Sequence, residues 1–434
     1  MNNNRNFSSN TLADLRPTRT RYWVIVFAVT LAVISYVDRV CISKAAPNIM
    51  QDLSLSKAQM GLGFSAFFWA YALFEIPNGW LGDKFGARIV LIRVVLWWSF
   101  FTAALGWIGG LVSLIVVQAM FGAGEAGCFP NLTKAFTAWL PTRERVRAQG
   151  FMWLSARWGG AVTPLMATWL LGYVSWRWAF GLIALLGVVW TFFFYRWYRD
   201  DPRTHPAVNA AEQALIPKNP TLGHGRVPWM KLVKSGNVKL LWFQYFFTSY
   251  PWTFYITWLP TYLEKERGVE ASLGALLAGV PLFLGGLGAI CSGFILPVVD
   301  RWTGSVQASR RLIACIGMGG SSVLWLLAIQ CSSPILTMLA LGFAGFCNDI
   351  AVPISWAVCM DIGGKCSGTL SGSMNMVGNF GSALGSWSVG YILDLTGQNW
   401  SVAFYAGAAS YFLAFLCWLF IDPVTPLEPE ENTA

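Results

Sequence analysis

From residue 22 onwards the chain is a succession of long apolar runs divided by short polar breaks. A helix needs about 20 apolar residues to cross the hydrocarbon core of a bilayer, where only its own backbone can satisfy its N–H and C=O groups. Twelve runs meet that length, at 22–44, 57–79, 89–109, 111–139, 146–171, 176–197, 239–263, 273–297, 310–331, 333–360, 365–393 and 400–421. Several exceed 20 residues, as tilted or bent helices do. Six runs precede a polar stretch and six follow it. The pattern predicts an N-terminal tail (1–21), a six-helix half (22–197), a linker (198–238), a second six-helix half (239–421) and a C-terminal tail (422–434). The linker, "RDDPRTHPAVNAAEQALIPKNPTLGHGRVPWMKLVKS", is polar, contains proline and is too short for a core of its own. Its end, "PWMKLVKSGNVKLLW", fits a short interfacial helix feeding the seventh run.

Composition supports the same fold class, an all-α membrane protein. Hydrophobic residues make up 55% and charged residues only 12%, against about 25% charged in an average soluble domain. A soluble protein this apolar could not cover its surface. The first apolar run is long enough to span and ends in "YVDRV", so no cleaved leader is expected.

The formal net charge of +9 could suggest nucleic acid, but its placement argues otherwise. With the N-terminus inside, inside segments hold 21 of the 30 Lys and Arg and outside segments hold 4. The other five, Arg39, Lys44, Arg93, Lys134 and Arg157, lie in or at the ends of the runs. This positive-inside bias predicts cytoplasmic termini and makes the basicity topological. Nine cysteines without a CxxC read as small buried residues. The two histidines, His205 and His224, fall in the linker, which excludes haem or a His-ligated metal inside the membrane. No cofactor is implied. No G-x-S-x-G or H-E-x-x-H pattern is present, so an enzyme is not expected.

A charge inside an apolar run is costly and by default marks a pathway or relay. The acidic ones are Asp38, Glu75, Glu125 and Asp349; the basic ones are Arg39, Arg93 and Arg157. Asp38 and Arg39 are neighbours, about 100° apart on a helix, so each needs partners elsewhere or a cavity. Arg93 lies one turn from the cytoplasmic end and can snorkel. Asn375 and Asn379, one turn apart, share a face and could reach a substrate hydroxyl or bond another helix.

Between the second and third runs stands "GWLGDKFGAR", which matches the loop pattern G-x-x-x-D-[RK]-x-G-x-[RK] of the major facilitator superfamily through Gly79, Asp83, Lys84, Gly86 and Arg88. Its glycines permit a tight turn, and its charges can form a network that closes the inside. The counterpart in the second half, "GFILPVVDRW", keeps Asp300 and Arg301 but loses the glycine spacing. Two six-helix halves with nested repeats is the architecture of that superfamily.

"YVDRVCIS-KAAPNI", "FFWAYALFEIPNGWLGDKFG", "GAGEAGCFPN" and "TWLPTYL" resemble the anion:cation symporter family, over essentially the whole chain. That family contains galactonate, hexuronate, hexarate and phthalate permeases. The resemblance implies that Asp38 and Glu125 couple to protons and that Arg39 holds the substrate carboxylate. It also implies a central cavity lined from the first, second, seventh and tenth runs, where Tyr36, Tyr71, Trp252, Tyr255 and Trp356 fall. The sequence departs from the family in two places. Gln118 stands where an arginine usually precedes the glutamate by seven residues, and Glu75 replaces the usual glutamine before Ile-Pro. Arg157, in "FMWLSARWGGAVTP", is expected to supply the missing cation at the substrate, or else to pair with Glu125 or Asp349.

These residues predict a monomeric, proton-coupled transporter of a small organic anion in a bacterial inner membrane, with a sugar acid as the first expectation. An aromatic carboxylate or a drug/proton antiport are the alternatives.

Overall fold

A computed structural model describes residues 16–216 and 227–427. His224, the tail residues 1–15 and 428–434, and linker residues 217–226 lie outside the described residues.

The long apolar runs form helices, because in a helix each backbone donor finds its acceptor within its own segment. The N-terminal set is α1 (Trp23–Asp52), α2 (Lys57–Phe85), α3 (Ala87–Leu105), α4 (Leu111–Glu125), α5 (Cys128–Trp139), α6 (Thr142–Tyr173) and α7 (Trp176–Trp197). Short α8 (Ala210–Gln213) and α9 (Trp229–Lys234) follow in the linker, the latter where the interfacial helix was expected. The C-terminal set is α10 (Gly236–Thr257), α11 (Leu259–Lys265), α12 (Ala271–Ala278), α13 (Val280–Thr303), α14 (Val306–Gln330), α15 (Pro334–Gly363), α16 (Ser367–Leu395) and α17 (Trp400–Phe420). Among the described residues, nine helical stretches are long and apolar enough to cross a membrane. One of them, Pro334–Leu395, is α15 and α16 in succession, joined by a single 3-10 turn.

Three of the twelve expected runs are broken where proline withdraws a backbone donor, the run 273–297 among them at Gly279, just before Pro281. The run 111–139 divides after Glu125, just before Pro130, and the run 239–263 divides at Trp258, just before Pro260. Apolar patterning cannot distinguish a broken helix from a continuous one.

Helices pack first within each set and then across the middle, where α2 meets α16 and α6 meets α13. The α2–α16 contact is close enough to require glycine. A Cβ on Gly79 would sit 2.3 Å from the carbonyl oxygen of Gly368. Large apolar side chains such as Trp107, Leu165 and Phe420 are exposed, a surface suited to lipid rather than water.

Candidate functional site

A cavity of about 570 Å³ lies between the two sets of helices. Its charged wall starts on α1. Arg39 donates from Nε to Glu125 Oε1 at 2.8 Å, and Ser35 also hydrogen-bonds that oxygen. The break after Glu125 ends α4 there, with the carboxylate buried behind the arginine. Arg39 lines the cavity, its guanidinium 4.4 Å from the Tyr71 ring centre. Glu125 Oε2 has no hydrogen-bond partner among the described residues. Asp38 turns the other way, towards Thr102 and Trp98 of α3, and its Oδ1 is likewise unpartnered. Adjacent residues on α1 thus serve different neighbours, as their 100° separation requires.

The second charged pair crosses the middle of the molecule. Arg157 of α6 holds Asp349 of α15 through two bonds, Nε to Oδ2 at 2.8 Å and Nη2 to Oδ1 at 3.1 Å. Its guanidinium carbon lies 3.7 Å from the Trp252 ring centre, and Arg157 lines the cavity. Of the two readings offered by the sequence, pairing with Asp349 is the one this conformation adopts. A third carboxylate, Glu75 on α2, is fully buried and bonds Asn375 and, at 3.1 Å, Asn379 of α16. Both asparagines line the cavity, as do Tyr36 and Tyr71.

Two expected substrate ligands stand behind the wall. Gln118 is 1% exposed on α4, with its Oε1 unpartnered and no part of the cavity surface. Trp356 is fully buried and donates to the Tyr245 hydroxyl at 3.0 Å, so it positions a lining residue. Tyr255 is buried in the same way, accepting from Trp325 at 2.7 Å. Helical rotation decides which side of a buried helix meets the cavity, and a helix apolar on every side carries no such signal.

The 79–88 segment, expected as a loop, is helical except at Gly86 and lies at the end of the bundle that carries the described N-terminal residues and the linker. Asp83 accepts from the Gly368 and Thr369 amides at 3.0 and 2.6 Å, and from the Thr369 hydroxyl at 2.6 Å. It therefore caps the N-terminus of α16, where unpaired amides and the helix dipole favour a negative charge. The cation beside it is Lys134, at 3.1 Å. Lys84, expected in this network, instead lies exposed against Trp80 and Phe85. Arg88 turns to α7, donating to the Tyr195 carbonyl at 2.6 Å, and its amide donates to Asp200 at 3.0 Å. Gly86 has φ +89°, and a Cβ there would meet the Asp200 carboxylate. One predicted network is thus two.

Sequence reasoning missed a second closure at the same end. Asp361, at the end of α15, pairs with Arg145 of α6 and with Arg310 of α14. A charged residue at a run end reads as solvated, and only the fold brings these three together.

A membrane-embedded helical bundle, closed by ion pairs at one end and holding a charged cavity at its centre, has the form of a multi-pass transporter. The chain belongs to the Major Facilitator Superfamily, whose profile matches residues 28–386. It is 31% identical over 423 residues to a probable sulfoacetate transporter of Cupriavidus necator, covering 96% of this chain and 97% of that one. It is 29% identical to a hexuronate transporter of Bacillus subtilis (92% and 94% covered) and 29% identical to a D-galactonate transporter of Escherichia coli (92% and 96% covered). In fold it is similar to the proton:xylose symporter XylE, with TM-score 0.75 at 13% identity over 94% of this chain and 98% of that one. Like its family and these relatives, the protein is a transporter and not an enzyme.

Proposed function

We propose that the protein takes up a small organic anion together with protons, by alternating access between two six-helix halves. The reading includes twelve membrane crossings, cytoplasmic termini and action as a monomer in a bacterial plasma membrane. One observation carries it: each arginine facing the cavity is already held by a carboxylate, Arg39 by Glu125 and Arg157 by Asp349. A proton on Glu125 removes the charge that occupies Arg39 and frees it for a substrate carboxylate. Proton and anion loaded together leave the cavity no more charged than when it was empty. Either one alone leaves a buried charge uncompensated and opposes closure.

Asp38, buried and without an ion-pair partner among the described residues, is the second proton carrier in this reading. Each inward proton contributes about 1.4 kcal/mol per pH unit and about 2.3 kcal/mol per 100 mV of membrane potential. Gln118 fits the scheme as well. With no arginine at that position, Arg39 is the cation bonded to Glu125, and one protonation releases it. The transporter names of the relatives support an organic anion, with a sugar acid first. In this reading Asn375, Asn379 and Tyr71, which line the cavity, take its hydroxyls.

The test is uptake into proteoliposomes after an external acid jump, screening labelled galactonate, glucuronate, glucarate, phthalate and sulfoacetate. Accumulation of at least one anion, abolished by a protonophore, is expected. Uptake indifferent to the proton gradient refutes symport.

A further inference from the structure

We infer that the transported anion carries two negatively charged groups, with Arg157 as the second anchor. The inference rests on the transport reading above and deepens it.

Arg39 and Arg157 reach the cavity from different helices, and Tyr36 lies between them. The Tyr36 ring is 5.7 Å from the Arg39 guanidinium carbon, and its hydroxyl is 3.4 Å from Arg157 Nη1. A single carboxylate at Arg39 replaces Glu125 and leaves Arg157 with Asp349. That remaining pair is not neutral to movement, because it ties α6 to α15 across the middle of the molecule. A second anionic group that takes over Arg157 releases the tie. A monoanion therefore fills half of the site and leaves one of its locks shut.

The surroundings of Arg157 are those of a ligand anchor. A structural ion pair is sealed away, but Arg157 lines the cavity with Trp252 against its guanidinium. Among the described residues, Nη1 has only the long hydrogen bond to Tyr36. Beside it, Asn348 donates to Asp349 at 2.8 Å and also lines the cavity, while its buried Oδ1 has no hydrogen-bond partner among the described residues. This open acceptor next to the pair is placed for a donor on the bound molecule. When Arg157 turns to the substrate, Asp349 keeps the Asn348 amide, with Tyr36, Tyr245, Tyr255 and Tyr411 around it.

Matched substrates test this. Galactarate and galactonate share a six-carbon skeleton but bear two carboxylates and one, and sulfoacetate and acetate make a second pair. In proteoliposomes of the full chain, kcat/KM for the two-group member should exceed that for its partner by at least about tenfold, the yield of one added charge-assisted contact. Replacing Arg157→Gln together with Asp349→Asn should bring the ratio close to one by losing the two-group substrate. Wild-type transport of galactonate and acetate equal to or better than their two-group partners overturns the inference without any variant. An unchanged ratio in the double variant overturns it too. Transport of neither pair, together with no gradient-driven uptake of any anion in the wider panel, refutes the symport reading itself, a distinct result.

Discussion

Replacing Asp83 by Asn should open the end of the molecule that the 79–88 segment closes. The Asp83 carboxylate, 4% exposed, accepts three hydrogen bonds from the first turn of α16 and pairs with Lys134. Asparagine keeps the shape and one acceptor oxygen, but its amide nitrogen faces donors. Lys134 retains the Lys365 carbonyl at 2.8 Å, which limits the loss on that side. Bonds to a charged group contribute about 1.5–3 kcal/mol each, and breaking a buried pair costs about 3–5 kcal/mol. With partial compensation, the closed conformer loses about 3 kcal/mol net, roughly a hundredfold in the opening equilibrium. Hydrogen exchange in nanodiscs reads this directly. Residues 367–371 should exchange faster simply because their cap is gone. The diagnostic is the start of α6 and the end of α15, which Asp83 does not touch but which part in the same opening. Their exchange should rise by roughly a hundredfold. Acceleration confined to 367–371 would show that Asp83 is a local cap and not a lock.

Other consequences follow from the same geometry. Gly79→Ala places a Cβ 2.3 Å from the Gly368 carbonyl oxygen, so α2 and α16 cannot close, and a thiol probe should reach the cavity from the linker side. Glu212, in the linker, binds Thr18 and Arg21 of the N-terminal segment. Burial raises its pKa, but hydrogen bonds from Thr18, Thr20 and Arg21 outweigh burial and hold it below the usual carboxylate value. The clasp is therefore at full strength above the usual carboxylate range and is lost as pH falls through the lowered value. Glu212→Gln should cost about 2 kcal/mol, raising exchange of residues 18–22 about 30-fold at neutral pH. Asp361→Asn, which leaves Arg145 and Arg310 without their shared anion, should likewise raise exchange across the α6–α15 seam.

The charged residues of the site were legible because a charge in an apolar run is expensive and needs a reason. Asp38, Arg39, Glu75, Glu125, Arg157 and Asp349 all stood out on that ground, and all six are in or behind the cavity wall. Their pairing was not legible. Arg157 and Asp349 are 192 positions apart, and only helix rotation and packing decide that they meet. Glu125 takes Arg39, a residue that the sequence placed beside Asp38. Lys84 and Lys134 differ in the same way: the motif named the first, and the fold delivers the second to Asp83. Asp361 was invisible because acids at run ends are usually solvated. Gln118 was visible as a departure, but no pattern of residue types gives the direction in which a buried side chain points.

The most direct test of proton coupling is Glu125→Gln measured in two modes, with one transported anion and the same proteoliposomes. Glutamine keeps the hydrogen bond to Arg39 and imitates a permanently protonated carboxyl. Counterflow, which exchanges labelled for unlabelled anion without net proton movement, should persist in the variant. Accumulation driven by an inward proton gradient should vanish. Gradient-driven accumulation that survives undiminished in Glu125→Gln would contradict the account, because the coupling proton would then be carried elsewhere than on Glu125.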